Sequence, residues 1–488
     1  MLETFEDTLD PADGPAFRLQ AHKMLDDMLD HLEHLRERPV WQPMPPELRD
    51  SFRQPLDDAP ADLAAVHDLF MKTILPYAVG NTHPGFMGWV HGGGTPVGMV
   101  AEMLAAGLNA NLGGRDQAPV ELERQLVQWV RALFSFPETA GGLFVSGTSM
   151  ANLISVLIAR TALLGKDIRQ TGLAAQTPRL MAYTSSSAHV SIAQAMDIAG
   201  LGCDALRLIP VDAHYQMDAA ALEQAIAADK KAGLTPFFIA ATAGSVDVGA
   251  IDPLAAIADI AEREQLWFHV DGAYGALAML AADIAPRLQG IERADSIAFD
   301  FHKWGQVPYD AGFILVRNGQ QQLDTFASPA AYLMRETRGL SAGSPWPCDL
   351  GPELSRGFRA LKTWFTIKVY GAEKLGRVIA HTCALAQYLK QGIESTPQLE
   401  LLAPVALNIV CFRYRSEEPN RVNAAIVIAL QESGIAAPST TTLQGRLAIR
   451  AAIVNHRTAA RDIDALIDAT LTFGEIAANK TIQPQENP

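Results

Sequence analysis

The chain has 488 residues, 49% of them hydrophobic and 19% charged, so it is long enough for two or three packed units and ordinary for a globular enzyme. A formal net charge of −15, with no dense basic run, argues against nucleic acid or an anionic membrane surface as a partner. The four cysteines, Cys203, Cys348, Cys383 and Cys411, form no C-x-x-C pair, so free thiols in a reducing compartment are expected, and no metal site. The opening MLETFEDTLD has neither a basic region nor an apolar core, and no apolar run is long enough to span a bilayer; the expected location is cytoplasmic.

Two amphipathic stretches, near residues 17–36 and 62–75, flank a Pro-rich link around 40–60. Met24, Leu25, Met28, Leu29, Leu32 and Leu35 recur at helical spacing, and this stripe needs a surface to pack on, either the body of the chain or a second subunit. From Gly141 the pattern alternates. GGLFV, RLMAYT, ALRLIPV, PFFIAATAG, QLWFHVDGAYG and DSIAFDF read as buried strands, separated by helical stretches. Asp218 is expected to cap one of these helices, and Asp252-Pro253 to open another. Continuous apolar strands alternating with helices predict an α/β fold with a mainly parallel sheet, whose ligands sit at the carboxyl ends of the strands. Beyond Gly371, LNIVCFRY and RLAIRAAIV fit a smaller α+β unit. The expected organisation is a helical segment over 1–84, a large α/β domain over 85–370 and a small α+β domain over 371–488.

The chemistry is expected at the strand ends. Asp271 closes one apolar run and Lys303 follows another, thirty-two residues later, in FDFHKWG. A carboxylate and an amine at one sheet edge are what pyridoxal 5′-phosphate requires. The amine binds its aldehyde covalently, and the carboxylate keeps its ring nitrogen protonated. On spacing alone, a strand-end cap and a surface lysine remain equally open.

HVDGAYG and DFHKWGQVPYDAG resemble segments of the group II pyridoxal-phosphate decarboxylases, the family of aromatic-L-amino-acid (dopa) decarboxylase. The likeness extends through THPGFMGW, APVELE, SGTSMANL, SSSAHVSIAQA, ATAGSVDVGAIDPL, SRGFRALKTWF and RAAIVNHRTAARDID, in order from about residue 80 to residue 465. It implies the type I fold with a seven-stranded sheet, a homodimer with active sites at the interface, and decarboxylation of an L-amino acid to an amine, with aromatic substrates favoured.

The resemblance also implies residue roles. Lys303 holds the cofactor, Asp271 faces its ring nitrogen and His189 stacks on its ring. Thr148 and Ser149 bind its phosphate at a helix N-terminus; the plainer alternative for Ser149 is a helix cap. Thr242 and His302 lie against the cofactor. Asp300 stands where the dopa enzyme has asparagine; a carboxylate would repel a phosphate, so its side chain is expected to turn away or to meet a neutral donor. Tyr332, in SPAAYLMRETRGL, resembles the loop tyrosine that returns a proton to the α-carbon after CO2 leaves. Trp89 is expected at the substrate, and so is Arg356, whose guanidinium suits a carboxylate, with a structural role for Arg356 equally open. Asn109, Asn111, Arg115 and Asp116 stand in a segment that the family brings to the partner's site, where they would suit a more polar substrate, unless they only build a turn. The rivals are an aldehyde-forming decarboxylase, which Tyr332 disfavours, an aminotransferase, and a catalytically inactive binding or scaffold homologue.

Overall fold

The computed structural model describes residues 8–56, 59–173, 177–327 and 336–479. The strands in chain order are β1 (Phe86–Met87), β2 (Gly141–Val145), β3 (Leu180–Ser185), β4 (Leu206–Ile209), β5 (Thr235–Thr242), β6 (Trp267–Asp271), β7 (Ser296–Asp300), β8 (Gly312–Val316), β9 (Leu399–Leu401), β10 (Ile409–Tyr414), β11 (Ala437–Leu443) and β12 (Arg446–Ala452). Seven of them form one sheet in the order β2-β8-β7-β6-β5-β3-β4. β8 pairs antiparallel with both β2 and β7, and every other pairing is parallel. This is the mainly parallel seven-stranded sheet expected of the type I fold.

The strands read as unbroken apolar runs because both faces are covered. Phe144, Tyr183, Ile239, Val270, Phe299 and Phe313 point into one core. Their neighbours Val145, Ala182, Ala240, Ala298 and Ile314 point into the other, beneath the helix Thr148–Leu164. Period-two alternation thus carries apolar groups to both sides. Asp218 caps the helix Ala219–Lys231 as expected, accepting from the amides of Ala220 and Ala221. Asp252 does not cap its helix. Pro253 holds that position, and the Asp252 carboxylate instead accepts from Met217 N and Thr242 N, both at 2.7 Å, tying the end of β5 to its neighbours.

The second sheet has the order β1-β11-β12-β10-β9. Its first strand comes from Phe86–Met87, ahead of the large sheet, and pairs parallel with β11. The long helix Arg359–Glu394 is interrupted at Gly371, whose φ of 75° is a conformation that side chains with a Cβ rarely adopt.

At the N-terminus, Asp13 caps the helix Gly14–Glu33 and Asp62 caps the helix Leu63–Leu69. No residue of the helix Gly14–Glu33 is fully buried within its own chain: Met24, Leu25, Met28 and Leu32 are half-buried, and Phe17, Leu19 and Leu29 are exposed. Among the described residues, no helix is long and apolar enough to cross a membrane.

Candidate active site

One cavity of about 400 Å³ lies at the carboxyl ends of β2, β3, β5, β6 and β7. It brings together Trp89, Thr148, Ser149, His189, Thr242, Asp271, Asp300, His302 and Lys303. These residues lie up to 214 positions apart in sequence, and the parallel sheet unites them because successive strands end on the same side.

The turn after β2 is Ser146-Gly147, and the helix Thr148–Leu164 starts directly on it. Gly147 occupies the cap position and no side chain caps this helix, so Ser149 is not a cap. The N–H groups of Thr148 and Ser149 are left for another acceptor, while Met150 N already donates to Gly147 O at 3.0 Å. The Thr148 hydroxyl is buried and has no hydrogen-bond partner. A buried donor without a partner, at the positive end of a helix, fits a phosphate.

Asp271 ends β6 and is buried. Its Oδ2 accepts from Asn152 Nδ2 at 2.9 Å, and its Oδ1 from Ala273 N at 3.1 Å. Burial raises its pKa, opposed by the Asn152 hydrogen bond and by the charges of Lys303 and His189. A cationic ring nitrogen in the cavity would favour the ionised form. His189 follows β3. Its Nδ1 lies 2.8 Å from Ser191 Oγ and accepts from Ser191 N at 3.2 Å.

Asp300 ends β7 and is also buried. The expectation that it turns away or meets a neutral donor is corrected. Its Oδ2 pairs with Lys303 Nζ at 2.9 Å and lies 3.6 Å from His302 Nε2. Its Oδ1 has no partner and faces the turn: a Cβ built on Gly147 would stand 3.8 Å from it. A cation three residues further along the chain offsets the charge that repulsion was expected to deflect. His302 Nδ1 accepts from Ala311 N at 2.9 Å, which leaves its ring proton on Nε2, towards Asp300.

Trp89 forms part of the cavity wall, 55% exposed, with its ring beside Phe86 and His91 at centroid distances of 6.2 and 5.9 Å. Arg356 does not line this cavity, and its expected contact with substrate is corrected. Its guanidinium is buried against Glu123, bonded by Nη2 to Oε1 at 2.6 Å and by Nη1 to Oε2 at 3.2 Å, and it also donates to the carbonyls of Leu112 and Phe144. The carboxylate this arginine was suited to bind is one of the chain's own. Asn109, Asn111, Arg115 and Asp116 do not line the cavity of their own chain either. Asn111 Oδ1 accepts from Gly113 N and Arg356 N, and Arg115 lies over the Trp346 ring. Tyr332 lies outside the described residues.

Several residues at or behind the site were given no role from the sequence. Asn152 was inside a quoted motif, but only its place behind Asp271 gives it meaning. Tyr309 was likewise inside a quoted motif, DFHKWGQVPYDAG, without a role, and His91 lines the cavity from a loop with no local pattern to single it out.

Residues 45–415 match the family described as the pyridoxal-dependent decarboxylase conserved domain. This chain belongs to that family. An aromatic-L-amino-acid decarboxylase of Bacillus atrophaeus is 32% identical over 457 residues, covering 91% of this chain and 93% of the relative. A phenylacetaldehyde synthase of Arabidopsis thaliana is 30% identical over 465 residues, covering 91% and 93%. Among solved structures, the TDC of Oryza sativa with PLP and tryptamine superposes with a TM-score of 0.89 at 25% identity, covering 97% of this chain and all of that one. Like its family, this decarboxylase uses pyridoxal 5′-phosphate to remove the carboxylate of an amino acid.

Proposed function

We propose that the chain decarboxylates an aromatic L-amino acid to its amine and CO2, as a homodimer, with Lys303 as the residue that binds the cofactor aldehyde. The observation that carries this reading is the meeting of Lys303, Asp271 and the uncapped Thr148 turn around one cavity. The aromatic preference is supported by the names of its relatives and by the exposed Trp89 ring in the cavity wall.

When bound, pyridoxal 5′-phosphate supplies the electron sink that makes the bond to the carboxylate breakable. The turn Ser146–Ser149 holds the phosphate through amide N–H groups and the free Thr148 hydroxyl. Asp271 keeps the ring nitrogen protonated, because a buried carboxylate gains by facing a cation. His189, with Nδ1 engaged by Ser191, presents its ring to the cavity. Asp300, 2.9 Å from Lys303 Nζ, holds and orients the amine that would bind the aldehyde. Thr242 and His302 complete the wall around the cofactor. Trp89, Val90 and His91 form an apolar and aromatic side that excludes water from the reacting carbon. Tyr332 returns the proton to that carbon.

The incompletely covered stripe of the helix Gly14–Glu33, with Phe17, Leu19 and Leu29 exposed, supports assembly through a second copy of the chain, since an amphipathic helix draws most of its stability from covering its apolar face. The test is a panel of L-amino acids labelled with ¹³C in the carboxyl group, scored for labelled CO2 and for amine. Release from tyrosine, tryptophan, phenylalanine or dopa, with one amine per CO2, supports the reading. Release only from acidic or small polar substrates refutes the aromatic preference. Aldehyde in place of amine moves the chain to the aldehyde-forming branch.

A further inference from the structure

Asn152 does not line the cavity, yet three hydrogen bonds converge on its fully buried amide. It sits one turn into the helix Thr148–Leu164, behind Asp271. Its Nδ2 lies 2.9 Å from Asp271 Oδ2 and 3.0 Å from Ser191 Oγ, and its Oδ1 lies 2.9 Å from His269 Nε2. An ionised carboxylate only accepts, so the Asn152 amide nitrogen must face Asp271 and its oxygen must face His269.

That orientation sets the tautomer behind it. His269 Nε2 donates to Asn152. His269 Nδ1 then accepts from one hydroxyl of the pair Ser296, at 2.8 Å, and Ser155, at 3.0 Å, which lie 2.7 Å apart so that one donates to the other. Trp267 Nε1, which can only donate, reaches Ser296 Oγ at 2.8 Å. Full burial pushes the His269 pKa down to about 3, so the ring stays neutral with one proton to place. The polarity runs one way, from Trp267 through the Ser296–Ser155 hydroxyl pair, His269 and Asn152 to Asp271.

A branch leaves Asn152 through its second amide proton. Ser191 Oγ accepts that proton and passes its own to His189 Nδ1 at 2.8 Å. The Ser191 backbone N–H, which can only donate, also points at His189 Nδ1, at 3.2 Å. The His189 ring proton is therefore on Nε2.

We propose that Asn152 is a positioning residue, holding Asp271 and His189 in one hydrogen-bond chain of fixed polarity so that the two groups recognise the cofactor ring together. This rests on the proposed assignment of Asp271 and His189 to that ring. Asn152 acts on ring recognition and leaves the phosphate turn alone. Neither group is fixed by its own strand: among the described residues, Asp271 otherwise has hydrogen bonds only from the Ala273 amide, and His189 only from the amide and hydroxyl of Ser191, whose hydroxyl Asn152 orients.

The test compares two ligands on the full chain stripped of cofactor: pyridoxal 5′-phosphate, and its carbocyclic analogue with a C–H in place of the ring nitrogen. Both carry the aldehyde and the phosphate, so their affinity ratio reads ring-nitrogen recognition alone. Wild type is expected to prefer the natural ring by about tenfold or more, the size of one hydrogen bond to a charged group. Asn152→Asp keeps the shape but turns both donors into acceptors, and Asn152→Ser shortens the reach. In each the ratio is expected to fall to within about threefold of unity, a loss of most of that bond, with affinity for the analogue retained. A variant ratio equal to a high wild-type ratio overturns the proposal. Equal weakening of both ligands also leaves the ratio unchanged and counts against it. A wild-type ratio near one would instead remove the assignment of Asp271, on which the proposal rests. Side-chain ¹⁵N spectra of the wild-type chain need no variant: His269 and His189 should both carry their proton on Nε2, and a proton on Nδ1 of either one breaks the chain.

Discussion

Arg356 offers the sharpest separation between a residue that binds substrate and one that holds the fold. Its side chain is 1% exposed and that of Glu123 is 4% exposed, with two hydrogen bonds between them. Replacing Arg356 with leucine leaves the Glu123 carboxylate buried without a cation and takes a donor from the carbonyls of Leu112 and Phe144. Breaking one side of a buried ion pair costs about 3–5 kcal/mol, because the remaining charge is uncompensated. Removing both charges, as in Arg356→Leu with Glu123→Leu, should recover most of that loss, since an apolar pair of similar volume avoids the desolvation cost. The assay is urea denaturation of the cofactor-saturated protein at one fixed concentration, with KM measured alongside. The expected result is a large loss in the single variant, partial recovery in the double variant, and KM near wild type wherever the protein is folded. A single variant within about 0.5 kcal/mol of wild type, the usual range for a surface substitution, but with a tenfold higher KM, would refute this reasoning and return Arg356 to the substrate.

Tyr332→Phe removes one hydroxyl, so CO2 release should continue while amine falls. Aldehyde, ammonia and hydrogen peroxide should rise at the expense of O2, and product analysis under air and under nitrogen checks this; amine formed at the wild-type rate would reduce Tyr332 to a packing residue. Deleting residues 1–75 removes the partly exposed stripe of the helix Gly14–Glu33, and light scattering should find monomers or aggregates, whereas a fully active dimer would contradict assembly through this segment. His456 donates from Nε2 to Gly94 O, and burial, helped by the charge of Arg457, pushes its pKa down from 6.5 to about 4. The unfolded chain therefore takes up this proton first as pH falls. The stabilisation is complete above pH 6.5 and is lost between 6.5 and 4, by about 3 kcal/mol. His456→Gln should flatten the fall in stability across that window by roughly one proton, and equal slopes for the two proteins would refute the assignment.

The sheet and most of the site were legible because both follow from short-range pattern. Apolar runs such as WFHVD and SIAFD mark strands buried on both faces, and the polar residue closing each run falls at the sheet edge where ligands bind. Asp271, Lys303, His189 and Thr148 were found on that logic, joined to the resemblance. The choice between substrate and structure for Arg356 was beyond the sequence, because a guanidinium advertises a carboxylate without saying which one. Its partner Glu123 lies 233 residues away, and only the folded chain shows that the pair is already made. Asp300 was misjudged for a related reason. Its repulsion for a phosphate was weighed, but not the helical-turn geometry that sets Lys303 against it. Asp252 looked like a cap because Asp-Pro precedes a helix, yet two amides from other elements take its oxygens. Asn152 left one faint signal, a polar residue inside the apolar helix MANLISVLIAR. Its meaning depends on β6 and on the turn after β3, neither of which is near it in sequence.

The central claim is that Lys303 is the covalent anchor of pyridoxal 5′-phosphate in a decarboxylase. Borohydride reduction of the loaded protein, followed by peptide mass mapping, tests it most directly, because reduction makes the bond permanent wherever it stands. The account predicts loss of the visible absorbance and a single pyridoxyl-phosphate adduct on Lys303. It also predicts that Lys303→Ala shows neither the adduct nor measurable CO2 release. An adduct on another lysine in the wild-type protein, or a Lys303→Ala protein that keeps its visible spectrum and its turnover, would contradict it.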